Sequence, residues 1–168
     1  MTLFFTLPPR RVPWRYVLIN ANRPERGFAY LYTHHRHVES VVIDSGVEVF
    51  RDENVKEYGG GADAAVRRQV MLYERLRRLL RGADIMVTCP DYPDDYHPRA
   101  LWLSEDMTNI ERTLLNVLKC VDWYPDVPWL IPVQGWWRRP ESLLILSLIH
   151  ISEPTRPLYI SYAVFCLK

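Results

Sequence analysis

The chain has 168 residues, of which 48% are hydrophobic and 24% are charged, and its formal net charge is +1 at pH 7. This length suits one domain or part of a larger one, and the near-zero charge excludes a strong overall attraction to nucleic acid or to a membrane surface. No apolar run is long enough to span a bilayer, and three cysteines without paired spacing predict neither a disulfide framework nor a zinc site. We therefore expect a cytoplasmic protein with no metal site in these residues.

Strands and helices alternate along the chain. Apolar runs and helical spacing predict, in order, a strand at 15–21, a strand at 38–43, a helix at 62–81, a strand at 83–88, a helix at 104–121, a strand at 129–133 and a helix that starts at 141. Residues 28–32 fit either a helical turn or a short strand. Such alternation is typical of an α/β fold with a parallel sheet, and no Gly-x-Gly-x-x-Gly motif follows the first strand. Four strands fit the N-terminal half of a (β/α)8 TIM-type barrel, truncated near its middle.

The two long helices have distinct faces. The apolar face of the first consists of Val66, Leu72, Tyr73, Leu76, Leu79 and Leu80, and the opposite face carries Arg67, Arg68, Arg75 and Arg78. These arginines could bind phosphates, although a solvated face is the commoner explanation. The residues predicted to be buried by the second helix are Ile110, Leu114, Leu115, Val117, Leu118 and Val121, and a capping box of Thr108 and Glu111 is one of two candidate starts.

Two other motifs resemble ligand sites but have simpler explanations. His34, His35 and His37 lie close together, but no carboxylate or cysteine pattern completes a metal-ligand set, so an exposed polar connector is favoured. The triple glycine at 59–61 is not followed by the Lys-Ser/Thr of a phosphate-binding loop, and a loop or linker is the better interpretation.

Polar residues follow the predicted strands at the ends where parallel α/β folds place their active sites. Asp44, Ser45 and Gly46 follow the second strand, Asp91 follows the third and Gln134 follows the fourth. Asp-Ser-Gly is also ordinary turn chemistry, because Asp and Ser bond to nearby backbone and Gly tolerates positive φ. Because all three positions fall at one rim of a parallel barrel, the sequence predicts that these side chains converge there.

Three segments in this order resemble the tRNA-guanine transglycosylases. They are Val-Ile-Asp-Ser-Gly at 42–46, Pro-Asp-x-Pro at 90–93 and Ile-Pro-Val-Gln-Gly at 131–135. The Pro-Val-Gln-Gly form is most similar to the archaeal branch and to the DpdA-type enzymes, which insert 7-deazaguanine bases into DNA. The resemblance covers residues 15–145. The chain departs from the family where Val and Glu at 47–48 replace a second glycine and an aromatic residue.

The resemblance implies a pentosyltransferase that replaces guanine by a 7-deazaguanine in DNA or tRNA. In this reaction a carboxylate nucleophile holds the sugar while a second carboxylate shuttles a proton on the purine. Asp44 is expected to be this second, catalytic group. The residues that the resemblance implies as contacts of the base are Ser45, Gly46, Asp91, Gln134 and Gly135.

The target nucleotide must leave its helix to reach such a site, so aromatic and arginine side chains near the rim are expected to hold the strand. Trp136, Arg138 and Arg139 are the candidates. Packing at the start of a helix, with solvated arginines, explains the same residues equally well.

Residues 146–168 resemble an in-frame translation of a DNA sequencing adapter, so we expect residues 1–145 to be the authentic part of a longer gene product. In the family, the nucleophilic Asp and a zinc cluster lie beyond the Val-Gln-Gly strand. The chain alone is therefore expected to be inactive and to bind no cofactor. Two alternatives remain: another TIM-barrel enzyme with acids at its strand ends, and a non-catalytic nucleic-acid-binding fragment.

Overall fold

The structure is a computed structural model that describes residue 4 and residues 11–52, 54–92 and 107–132. The strands are β1 (Tyr16–Asn20), β2 (Ser40–Asp44), β3 (Asp84–Thr88) and β4 (Trp129–Leu130), and the helices are α1 (Glu25–His34), α2 (Ala62–Leu79) and α3 (Asn109–Trp123). Short 3₁₀ helices follow α1 at His35–His37 and β2 at Val47–Arg51. Predictions for 133–168, which include Gln134, Gly135, Trp136, Arg138, Arg139 and the adapter-like tail, lie outside the described residues.

The four strands form one parallel sheet in the order β1-β2-β3-β4. This confirms the predicted α/β class and the parallel βα repeat. Right-handed crossovers between successive strands place the connecting helices on one side of the sheet. Contacts between neighbouring helices agree with this, because Arg75 of α2 donates to the hydroxyl of Tyr32 of α1 at 2.7 Å and Lys119 of α3 pairs with Asp63 of α2 at 2.8 Å. A parallel sheet whose strands lie in sequence order, with its helices on one side, is compatible with both a barrel and an open sheet. The half-barrel therefore remains a prediction.

Alternate residues of each strand divide between two faces of the sheet. The core between the sheet and the helices contains Val17, Ile19, Val41, Ile43, Ile85, Val87 and Trp129, all 8% exposed or less. The opposite face carries an apolar row of Leu18, Val42 and Met86, which the strand register aligns. Asn20 and Asp44 are two residues further along their strands, so they share this second face and lie at its carboxyl edge.

Most of the predicted elements are present with shifted ends: they are mostly shorter, but β2 ends one residue later and α3 two residues later than predicted. The undecided segment at 28–32 lies inside the ten-residue helix α1. Helix α3 begins after the capping box, in which Thr108 accepts from the Glu111 N–H and Glu111 accepts from the Thr108 N–H. On α2, Val66, Tyr73 and Leu76 are buried as predicted, as is Leu80 directly after the helix, while Leu72 and Leu79 are partly buried.

The predicted buried face of α3 is wrong in part. Leu115 and Leu118 are 42% and 49% exposed, whereas Thr113 and Asn116 are buried. These two polar side chains hydrogen-bond to backbone groups of the loop at 89–92, each at 3.0 Å. A buried loop must satisfy its backbone donors and acceptors. Helix α3 therefore turns polar residues inward and leaves two leucines outside.

Candidate active site at the carboxyl ends of the strands

Asp44 is the last residue of β2, and the register places it beside Asn20, the last residue of β1. Its carboxylate accepts from the Gly46 N–H at 3.1 Å, and no described side chain donates to it. Burial is the largest effect and raises the pKa of Asp44; the Gly46 N–H lowers it in part, the nearby Glu48 carboxylate raises it by a smaller amount, and the Ser45 N–H lowers it least, so that the pKa is raised overall. Asp44 is thus a desolvated carboxylate beside a second carboxylate. This arrangement brings the pKa of an acid closer to the pH at which it can both donate and accept a proton.

The turn after β2 requires glycine at position 46. Gly46 has φ +85°, and a Cβ added there would lie 2.9 Å from Asn22 Cγ and closer still to its amide nitrogen. That amide donates to the Gly46 carbonyl at 3.0 Å. Because the Gly46 N–H also bonds to Asp44, both backbone groups of Gly46 already have a partner inside the turn. The Asp-Ser-Gly segment therefore serves as the turn that the sequence suggested, and this turn also fixes the Asp44 carboxylate.

Asn20 organises the neighbouring strand end and was not singled out by the sequence. Its Oδ1 accepts from the N–H groups of Asn22 at 2.8 Å and Arg23 at 3.2 Å. Its amide nitrogen donates to the Glu48 carboxylate. Asn20 thereby holds Glu48 near Asp44. Glu48 was noted in the sequence only as a departure from the family pattern, and its carboxylate is one of the causes of the raised Asp44 pKa.

Ser45 and Asp91, which follow the adjacent strands β2 and β3, are in contact. The Ser45 hydroxyl donates to Asp91 Oδ1 at 2.8 Å, and the two residues are 1% and 8% exposed. Tyr58 joins them, since its hydroxyl donates to the Asp91 carbonyl at 2.6 Å and accepts from the Asp91 N–H at 3.2 Å. Burial and the Asp91 charge raise the Tyr58 pKa well above its usual value, so this hydroxyl keeps its proton. The network ties the loops after β2 and β3 together.

A second set of contacts fixes the other side of the loop after β3. The Arg112 guanidinium of α3 lies 3.6 Å from the centroid of the Tyr92 ring, and it pairs with the Glu57 carboxylate. The Tyr92 hydroxyl donates to the same carboxylate. Tyr92 is 2% exposed, so its ring belongs to the packing of the loop. Asp91 therefore sits between two anchors and cannot move independently of them.

Neither a metal group nor a membrane-crossing helix is found in the described part of the chain. Its His, Cys, Asp and Glu side chains form no cluster of three or more that could hold a metal ion. The 3₁₀ helix at His35–His37 is exposed at all three residues, as an exposed connector would be. None of the helices in residues 11–52, 54–92 and 107–132 combines the length and apolar character needed to cross a bilayer.

Comparisons of the chain with protein-family models, with curated proteins and with solved structures found no match. A functional assignment therefore depends on the residues themselves, on the geometry at the strand ends and on the motif resemblance described above.

The raised Asp44 pKa predicts that this carboxylate destabilises the fold at neutral pH. The folded state binds the Asp44 proton more tightly than the unfolded state, so its contribution to the free energy of unfolding is most favourable below the ordinary pKa of 3.8 and falls as pH rises through the folded pKa. We expect Asp44→Asn to unfold at higher urea concentration than the parent near neutral pH. This advantage should vanish in acid, where the Asp44 carboxyl is neutral.

Asp126→Asn is the matched control, because Asp126 is exposed in the connector before β4. It should leave the unfolding midpoint close to that of the parent at both pH values. An Asp44→Asn protein that is less stable than the parent near neutral pH would show that the Asp44 charge is favourably solvated, contrary to the burial that the structure shows.

Proposed function

We propose that this chain supplies the purine-binding, proton-transferring part of a guanine transglycosylase that exchanges guanine for a 7-deazaguanine in DNA or tRNA. The observation that carries the proposal is the half-buried, desolvated Asp44 carboxylate at the end of a parallel strand, beside Glu48 and without a described cationic partner. Structural carboxylates that are buried are normally paired with a cation. A carboxylate without a cationic partner that is held on a glycine turn is better suited to bind a ligand that supplies hydrogen-bond donors.

The chemistry of base exchange explains why such a carboxylate is useful. The N-glycosidic bond breaks when a carboxylate nucleophile takes the sugar and the departing purine gains a proton. The incoming base must lose a proton when the bond forms again. One group can perform both steps if its pKa lies closer to neutrality than that of an ordinary carboxyl, as burial and Glu48 arrange for Asp44. The nucleophile is a separate carboxylate in this scheme.

The polar atoms around Asp44 favour guanine over adenine. Guanine and 7-deazaguanine present two donors on one edge, N1–H and the exocyclic amino group, whereas adenine presents an acceptor at N1. Carboxylate oxygens only accept when ionised. Asp44 and Glu48 therefore match the donor edge of guanine. The side-chain carbonyl of Asn22, whose amide nitrogen is committed to Gly46, adds a third acceptor from the loop after β1.

The remaining family-like residues have assigned parts in this proposal. Asp91 and Ser45 hold the loops that carry the base site, since each is already bonded to the other. Gln134 and Gly135 would contact the purine edge from the fourth strand. Trp136, Arg138 and Arg139 would hold the displaced strand of DNA or tRNA through stacking and phosphate contacts.

Base binding is the most direct test, because it does not require the nucleophile. The complete chain is heated with 7-deazaguanine, guanine or adenine, and its unfolding midpoint is measured. A ligand present at 100 times its Kd stabilises the folded state by about 2.7 kcal/mol. We expect both guanine-type bases to raise the midpoint, adenine to leave it unchanged, and Asp44→Asn to lose the guanine effect while remaining folded.

The outcomes separate the alternatives. Equal stabilisation by all three bases, or by none, would contradict the proposal and favour a different strand-end enzyme acting on a sugar or an amino acid. Salt-sensitive binding of DNA or RNA that survives in Asp44→Asn, without any effect of free bases, would indicate a non-catalytic binding module.

A further inference from the structure

A cleft of about 610 Å³ opens at the amino ends of β2 and β3, the edge of the sheet opposite Asp44. We call it the basic cleft. It is lined by the 3₁₀ helix after α1 and by the turn after α2, and its polar lining residues include His35 and the charged residues Arg36, Glu39, Arg78, Arg81 and Asp84. A five-residue strand is about 17 Å long, so the basic cleft is well separated from the candidate active site. Its volume is within the usual range for small-molecule sites.

The charges in the basic cleft are unbalanced. Arg36, Arg78 and Arg81 are exposed, and none of them forms an ion pair with a described carboxylate. Glu39 is already occupied by Arg15 at 3.2 Å. Asp84 alone is left to oppose three guanidinium groups that come from two separate elements. Cations that converge without counter-charges repel one another, and an anion in the cleft would remove this repulsion.

The carboxyl end of α2 explains only part of this cluster. A helix C-terminus carries about half a negative charge and favours cations in its last turn, which accounts for Arg78 and partly for Arg81. Arg36 belongs to a different element, the 3₁₀ helix after α1. Half a unit of negative charge at the end of α2 cannot balance three guanidinium groups. Stabilisation of the helix end therefore does not explain why Arg36 also lines the cleft.

We propose that the basic cleft binds phosphate groups. Guanidinium forks match phosphate oxygens in pairs, and three of them around one concavity suit a diphosphate or two successive phosphodiesters. Outside the cleft, Tyr32 of α1 is 58% exposed and accepts a hydrogen bond from Arg75 of α2. An exposed ring beside arginines can stack on a nucleobase, so a polynucleotide is one source of the phosphates and a free diphosphate is the other. This inference does not depend on the proposed base exchange.

Titration of the complete chain with inorganic pyrophosphate, followed by calorimetry, tests the cleft without any nucleobase. The test variant is Arg78→Gln/Arg81→Gln, and the matched control is Arg67→Gln/Arg77→Gln, which removes two exposed charges of the same helix outside the cleft. We expect the test variant to weaken pyrophosphate binding at least about 10-fold, which corresponds to about 1.4 kcal/mol, and the control to change it less than about 2-fold. Circular dichroism establishes that both variants are folded.

A fluorescent single-stranded oligonucleotide then distinguishes the sources. Displacement of the oligonucleotide by pyrophosphate, with loss of both in the test variant, would support the cleft as a contact for a nucleic-acid backbone. Pyrophosphate binding without competition would support a small phosphorylated ligand. No pyrophosphate binding at millimolar concentration, or an equal loss in the test and control variants, would overturn the proposal. Pyrophosphate contains no nucleobase and Asp44 is unchanged in these variants. The outcome at the cleft therefore neither supports nor contradicts the base-binding test.

Discussion

Replacing Gly46 by alanine is expected to lower the free energy of unfolding by about 3 kcal/mol, because two costs add. Gly46 has φ +85°, a region that costs an L-residue with a Cβ about 1–2 kcal/mol. The new Cβ would also lie 2.9 Å from Asn22 Cγ, so the Asn22 amide must move and release the Gly46 carbonyl. The Asp44 carboxylate loses its fixed position at the same time. Urea denaturation gives the stability change.

Gly82→Ala separates the two costs. Gly82 has φ +93°, but an added Cβ there meets no atom within 4 Å. We therefore expect only the conformational cost, about 1 kcal/mol. If the two substitutions were equally destabilising, the contact between Gly46 and Asn22 would contribute nothing, and the turn after β2 would not be held as described.

Removing the Tyr58 hydroxyl is expected to have the second-largest effect. Tyr58→Phe removes the hydroxyl that bonds both the N–H and the carbonyl of Asp91 in a buried loop. A buried polar group that loses its hydrogen bond costs about 1–3 kcal/mol, so we expect a loss of about 2 kcal/mol in the free energy of unfolding. The Phe50, Tyr58 and Tyr92 rings pack together, and a phenylalanine keeps these ring contacts.

Tyr73→Phe is the control for this substitution. Tyr73 is also buried, at 8% exposed, and its hydroxyl makes no hydrogen bond with a described residue. Its removal should change the unfolding free energy by less than about 0.5 kcal/mol. A Tyr58→Phe protein as stable as Tyr73→Phe would mean that water replaces the hydroxyl, and that the loops after β2 and β3 are not tied together by Tyr58.

The sheet could be predicted because its strands are short apolar runs with turn residues at their ends. Runs such as Val-Val-Ile before Asp44 are buried on both faces and read clearly as strands of a parallel sheet. The position of Asp44 at a strand end, and its closeness to the turn glycine, follow from the same pattern. The buried face of α3 was harder to predict from the sequence, because Thr113 and Asn116 are buried where they hydrogen-bond to a loop that is distant in the chain.

The long-range contacts at the candidate active site could not be read from local sequence for the same reason. Asn20 reaches Glu48 across 28 positions, and Tyr58 reaches Asp91 across 33. Such contacts depend on strand register, which places Asn20 beside Asp44. The one available signal was that Asn20 also ends a strand, at the edge where the acid of the next strand lies.

We propose that Asp44, a desolvated carboxylate, accepts a hydrogen bond from a purine. A ¹³C NMR titration of the Asp44 side chain, without and with 7-deazaguanine, measures this directly, and Glu48→Gln tests the contribution of the second carboxylate. We expect the pKa of Asp44 to lie above 3.8 in the free protein, to fall in Glu48→Gln, and to fall when the base donates to the carboxylate. A pKa at or below 3.8 that does not respond to the base would contradict the account.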